Sequence, residues 1–126
     1  FGTAAARTVS VFPDNFAAAA TGMNQLRFIN AQTAAGDIFV TTPAGTVTGT
    51  PSASVAAGAV STGGSVGFLP FPTANTRVRL FDAGTTTTPR TDFTLGTLPT
   101  SRTTTVVFVE AGDPAGAKAF TVDPCP

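Results

Sequence analysis

The chain contains no histidine, no tryptophan and no tyrosine, and it has one cysteine, Cys125, and one lysine, Lys118. Without imidazole there is no ordinary general base near neutral pH and no common nitrogen ligand for a transition metal. A serine or threonine nucleophile would lack its usual partner, and Lys118 does not sit in the S-x-x-K spacing that a Ser–Lys pair uses. The seven acids, Asp14, Asp37, Asp82, Asp92, Glu110, Asp113 and Asp123, are scattered and mostly stand beside turns, where Asp ordinarily bonds its own backbone. Asp82 with Asp92, or Glu110 with Asp113, are the pairs a weak calcium site would use; turn capping is the favoured reading. We therefore expect no enzyme and assign no catalytic residue, cofactor or metal site. Charged residues make up 11% of the chain, against roughly 25% in an ordinary soluble domain. Seven basic side chains balance the seven acids, which leaves no basic face for nucleic acid and no polybasic membrane patch. No apolar run approaches the ~18 residues of a transmembrane segment, so none is expected.

What is present is β-forming. The 126 residues include 11 Phe and 24 Thr, with Val placed regularly, a composition that can bury a core and does not suit disorder. Helix signals are weak; the best is Phe16–Ala20, one turn that Asp14 or Asn15 could cap. Elsewhere Thr, Val and Phe recur in short runs between Gly and Pro clusters, the spacing of a sandwich or barrel. The runs predict strands over Ala5–Phe12, Gln25–Ala31, Asp37–Thr42, Ser52–Ser61, Ser65–Leu69, Thr76–Asp82, Thr91–Leu95, Thr103–Glu110 and Lys118–Asp123. Turns are expected at Thr42–Gly45, Pro70–Pro72, Asp82–Gly84, Leu98–Thr100 and Asp113–Gly116. The fold class expected is all-β: an antiparallel sandwich of two sheets and about seven to nine strands, with an N-terminal extension.

Alternation sorts the faces. In Arg77-Val78-Arg79-Leu80 the apolar pair points inward and the arginines outward, and in Ala119–Asp123 the inward residues are Phe120 and Val122. Thr103–Glu110 and Leu26–Ile29 carry apolar residues on both faces, as a central or covered strand does. Arg27 is a candidate neighbour of Arg77 and Arg79, or of Asp37. The three arginines form the candidate anion or glycan patch, set against a plain solvated face of weak surface ion pairs. Thr85–Thr88 beside Pro89 suits O-glycosylation, whereas no N-x-[ST] sequon exists.

Leu26-Arg27-Phe28-Ile29-Asn30-Ala31, a short loop, and Gly36-Asp37-Ile38-Phe39-Val40 resemble the opening hairpin of a bacterial exported domain, domain-of-unknown-function family 4397. That family has a strand of the form [LV]-R-[FV]-[VI]-N-A and a second of D-V-Y-V type; here Phe39 stands where Tyr is common, and Gln32–Ala35 lacks the usual Ser-Pro-Asp. Arg77–Phe81 followed by Asp82–Pro89 resembles its later hairpin, and Thr103–Glu110 its closing strand. The resemblance covers about residues 25–110. It implies an immunoglobulin- or transthyretin-like sandwich on a bacterial cell envelope, with no catalytic residues to transfer. It also divides the chain into an N-terminal arm and connector, residues 1–24, and a sandwich domain, residues 25–126.

The chain opens on Phe1 rather than Met, and removal of an export signal is the expected history, which places the protein outside the cell or at its surface. A surface so short of charge resists self-association poorly, and edge strands are normally guarded by lysine and other charge, whereas this chain has a single lysine. The expected function is a structural subunit of a filament or surface layer whose partners are copies of itself. The alternative is a monomeric envelope module binding a glycan or protein. Assembly would use the N-terminal strand: Phe1, Val9 and Val11 share a face by odd-number spacing, interrupted by Arg7, and Pro13–Gly22 lets the arm reach a neighbour. Cys125, held extended between Pro124 and Pro126, is the candidate for an intermolecular disulfide, the alternative being a free thiol.

Overall fold

Period-two patterning becomes eight strands in the computed structural model, which describes residues 11, 19–64, 67–98, 103–109 and 118–122. The strands are β1 (Met23–Ala31), β2 (Gly36–Thr41), β3 (Ala53–Val55), β4 (Leu69–Pro72), β5 (Asn75–Asp82), β6 (Thr91–Thr97), β7 (Thr103–Val109) and β8 (Lys118–Val122). One sheet has the order β4-β1-β7-β8 and the other β3-β2-β5-β6. The fold is a two-sheet β-sandwich, and no helix occurs among the described residues.

The alternating residues meet between the sheets. Leu26 and Phe28 of β1 and Val106 and Phe108 of β7 face Ile38 of β2 and Val78 and Leu80 of β5, all fully buried in one apolar cluster. The Phe28 and Phe108 rings stack with centroids 6.3 Å apart, and Phe93 and Phe71 meet them edge-on at 6.4 and 6.3 Å. Burying such side chains contributes about 1.5–3 kcal/mol each, which makes this cluster the main stabilising element of the domain. The side chains of Phe120 and Val122, expected in the core, lie outside the described residues, as do the expected strand Ala5–Phe12 apart from Val11 and most of the expected helix Phe16–Ala20.

Four expectations need correction. The ladders are antiparallel except one: β1 and β7 run parallel, from Gln25 opposite Thr103 to Ala31 opposite Val109. Such a pair requires a crossover connection, and here most of the chain between the two strands builds the second sheet. The opening motif is not a hairpin, because β1 and β2 belong to opposite sheets and the 32–35 turn crosses between them. Asn30 holds that crossing: its buried amide donates to Ala34 O (2.9 Å) and Val55 O (3.1 Å) and accepts from Gln32 N–H (3.1 Å). Ser52–Ser61 is not one strand. β3 ends at Val55, Gly58 turns the chain with φ of +68°, and Val60 then bridges Ile29 in the other sheet. Finally, Pro70-Phe71-Pro72 is not a turn but most of β4, whose ladder runs from Met23 opposite Pro72 to Leu26 opposite Leu69. Prolines are tolerated there because β4 is an edge strand, where an amide facing outward has no ladder bond to lose.

Candidate functional site

On β5, inward Val78 and Leu80 force Arg77, Arg79 and Phe81 onto the outer face of their sheet, and on β2 inward Ile38 does the same for Phe39 and Thr41. Phe39 and Phe81 are nonetheless buried, with their rings edge-to-face at 5.6 Å. The β2–β3 loop folds back over this face and the arginines fasten it. Arg77 Nη1 donates to Pro43 O at 3.1 Å, and Arg79 Nη2 donates to Thr41 Oγ1 at 2.8 Å and to Gly45 O at 2.6 Å.

Arg77 also forms a two-point pair with Asp92 of β6, Nε to Oδ1 at 2.8 Å and Nη2 to Oδ2 at 2.5 Å. The Arg77 hydrogen bond holds the Asp92 carboxyl below its ordinary range; partial burial opposes this, and the charges of Arg77 and Arg79 add to it. The same bond raises Arg77. Between the β2–β3 loop and the β5–β6 loop lies an open groove of about 440 Å³, lined by Arg77, Arg79 and Asp92 and by Thr46, Thr86 and Thr87.

Arg27 is elsewhere. It belongs to β1, in the opposite sheet, where it is buried; its guanidinium lies 4.5 Å from the Phe68 ring centroid and its Nη2 donates to Thr105 Oγ1 at 3.3 Å. The structure brings Arg77 and Arg79 together and leaves Arg27 out of the patch, because β1 and β5 lie in different layers. Nor is Arg27 beside Asp37, whose carboxylate accepts from Ser54 Oγ (2.5 Å) and Gly84 N–H (2.7 Å).

Asp82 and Asp92 do not join as a calcium site. Asp92 is held by Arg77, while Asp82 pairs with Arg90 at 3.0 Å. No cluster of three acidic or cysteine side chains occurs among the described residues; Glu110, Asp113 and Cys125 lie outside them.

Sequence reasoning missed two residues. Asp92 as partner of Arg77 depends on the β5–β6 register, which a bulge shifts between Thr76 and Arg77. Arg90 clamps the crossing from β1 to β2, donating to Gln32 Oε1 (2.5 Å), Ala35 O (2.6 Å) and Phe81 O (3.2 Å). No local pattern marks a side chain that bonds carbonyls more than fifty residues away.

The strand edges bear on assembly. Both edges of β1 are filled: β7 lies along one, while β4 and then residues 58–61 share the other, through Gly58 N–H to Asn30 O, Asn30 N–H to Ala59 O and Ser61 N–H to Phe28 O at 2.8–2.9 Å. The free sides of β4, β3, β6 and β8 form the outer edges of the sheets among the described residues. Of the candidate anchors, Phe1 and Val9 lie outside the described residues, and Val11 is 88% exposed. No family model matches the chain, and no curated protein is similar enough to count as a relative.

Proposed function

We propose that this chain is a non-enzymatic structural protein that assembles with copies of itself into a filament or surface layer outside the cell, by adding its N-terminal segment as a strand to a neighbour. The observation that carries this reading is the occupancy of β1. A segment leading directly into β1 would most simply fold back along it, and both of its edges are already paired. On this reading the segment takes its main-chain partners at some other edge, and strand addition to another subunit would satisfy those groups while alternate side chains fill pockets. The low charge of the chain supports the same reading.

Membership of the exported family 4397, with its implied location on a bacterial envelope, belongs to this proposal and rests on the motifs in β1, β2 and β5. A second reading, a monomeric envelope module that binds a glycan, is favoured by the groove over Arg77 and Arg79.

Deletion of residues 1–12 is the test. Light scattering and electron microscopy should show concentration-dependent polymers for the full chain. The truncated chain should stay monomeric and take up a synthetic peptide of residues 1–12. Equal assembly by the truncated chain, or a full chain that remains a compact monomer at micromolar concentration, would overturn the proposal.

A further inference from the structure

We infer that the groove on the outer face of the β3-β2-β5-β6 sheet is a binding site for a carboxylated saccharide, a hexuronate-type sugar or disaccharide. The inference stands whether or not the chain assembles. The groove measures about 440 Å³, within the roughly 300–1,000 Å³ range of small-molecule sites. It is pre-formed: the loop that makes one wall is tied by its own carbonyls at Pro43 and Gly45 to the two arginines, and the buried Phe39–Phe81 pair anchors the sheet beneath.

The lining selects the chemistry. Threonine hydroxyls from Thr46, Thr86 and Thr87 offer both donors and acceptors beside apolar Val47, Phe81 and Pro89, a mixed lining that suits a saccharide, whose ring carries hydroxyls at its rim and C–H groups on its faces. The charges do not cancel. Arg77 is neutralised by its two-point pair with Asp92, whereas Arg79 spends only Nη2 on protein acceptors, Thr41 Oγ1 and Gly45 O. Among the described residues its Nε is buried without a hydrogen-bond partner, and Nη1 is the remaining donor for a ligand in the groove. Two guanidiniums against the single carboxylate of Asp92 leave one net positive charge, which calls for one carboxylate. Asp92, close by, repels a densely charged phosphate or polysulfate while accepting from sugar hydroxyls. Arg27, in the other sheet, has no part in it.

The probe is digalacturonate, titrated into the full chain at low ionic strength and followed by amide chemical shifts. The controls are its methyl ester and acetate. The expected result is saturable binding with shifts confined to residues 43–47 and 77–92, a tenfold or greater loss with the methyl ester, and no saturation by acetate at matched concentration. Arg79→Gln should weaken binding by at least tenfold. Because Arg79 also ties the loop, the double variant Thr86→Ala/Thr87→Ala, on exposed positions that carry no core packing, gives a second reading and should weaken binding severalfold with an unchanged Tm. Equal binding of the methyl ester, equal binding of acetate, shifts elsewhere, no saturable binding, or full affinity in the threonine variant would each overturn the inference.

Discussion

At Ser61 a hydroxyl stands in for part of a strand. Its Oγ accepts from Phe28 N–H at 3.0 Å and donates to Gly67 O at 2.6 Å, while Ser61 N–H bonds Phe28 O. Ser61 is buried, so Ser61→Ala strands the Phe28 amide without a partner and should cost about 1–3 kcal/mol. Urea unfolding with an unchanged slope would measure it; a loss below ~0.5 kcal/mol would mean that water replaces the hydroxyl. Gly67 allows the close approach: it holds φ of +82°, and a Cβ there would run into the Ser61 carbonyl. Asp92 makes a different kind of contribution. Its folded-state pKa lies below the ordinary 3.8, chiefly through the Arg77 hydrogen bond. In the window between the two values the unfolded chain binds the extra proton, so the stabilisation is complete above the unfolded value and is lost as pH falls through the folded one. The pair is exposed, so the effect is small and weakens with salt. Asp92→Asn should lower Tm slightly at neutral pH, and the two melting curves should converge on acidification below the ordinary carboxylate range. A difference that persists undiminished in strong acid would show that Asp92 acts through packing.

The elements show how a chain with one lysine guards its sheet edges. β3 is three residues long. β6 carries a bulge, with Leu95 unopposed and Gly96 at φ of +78°. β4 places Pro70 and Pro72 two residues apart on one edge, which removes two amide donors that a foreign strand could use. Shortness, bulging and proline each replace charge as the guard. Replacing both prolines by Val should therefore open this edge. In a chain lacking residues 1–12, so that no arm contributes, light scattering should show faster self-association for Pro70→Val/Pro72→Val than for its parent. An unchanged rate would mean that β4 is protected by something other than its prolines. The element scale is also where local reading fails in an instructive way. Prolines beside Phe71 read as a turn because nothing local says that the segment lies at an edge. Ser52–Ser61 reads as one strand because its β-formers do not reveal that the chain changes sheets at Gly58.

Across the whole molecule, seven positive charges oppose seven negative ones, so no long-range repulsion holds two copies apart. Strand addition would then be limited by edge geometry and not by charge. Cys125 provides a covalent check on proximity. If chains meet near their C-termini, oxidised native material should run as a dimer on non-reducing gels and collapse with thiol reductant. Monomer alone would remove the disulfide and leave a free thiol. The groove over Arg77 and Arg79 opens on the outer face of one sheet and takes in Asp92 of the edge strand β6, so a saccharide bound there would lie beside one of the edges at which a neighbouring strand could add.

By itself the sequence determined the class of fold and the inner faces of its strands. Alternation in Arg77–Leu80 sends Val78 and Leu80 inward wherever β5 lies, because the period of a strand is a local property of the backbone. The apolar character of both faces of Thr103–Val109 likewise marks a central strand, and β7 is one, between β1 and β8. Only the tertiary structure decided which strands are neighbours. Pairing joins residues far apart in the chain through backbone groups that are alike at every position, so neither the parallel match of β1 with β7 nor the separation of Arg27 from Arg77 leaves a local mark. The groove is of the same kind. It exists because a loop near residue 45 and another near residue 86 converge on arginines whose outward direction was legible but whose company was not.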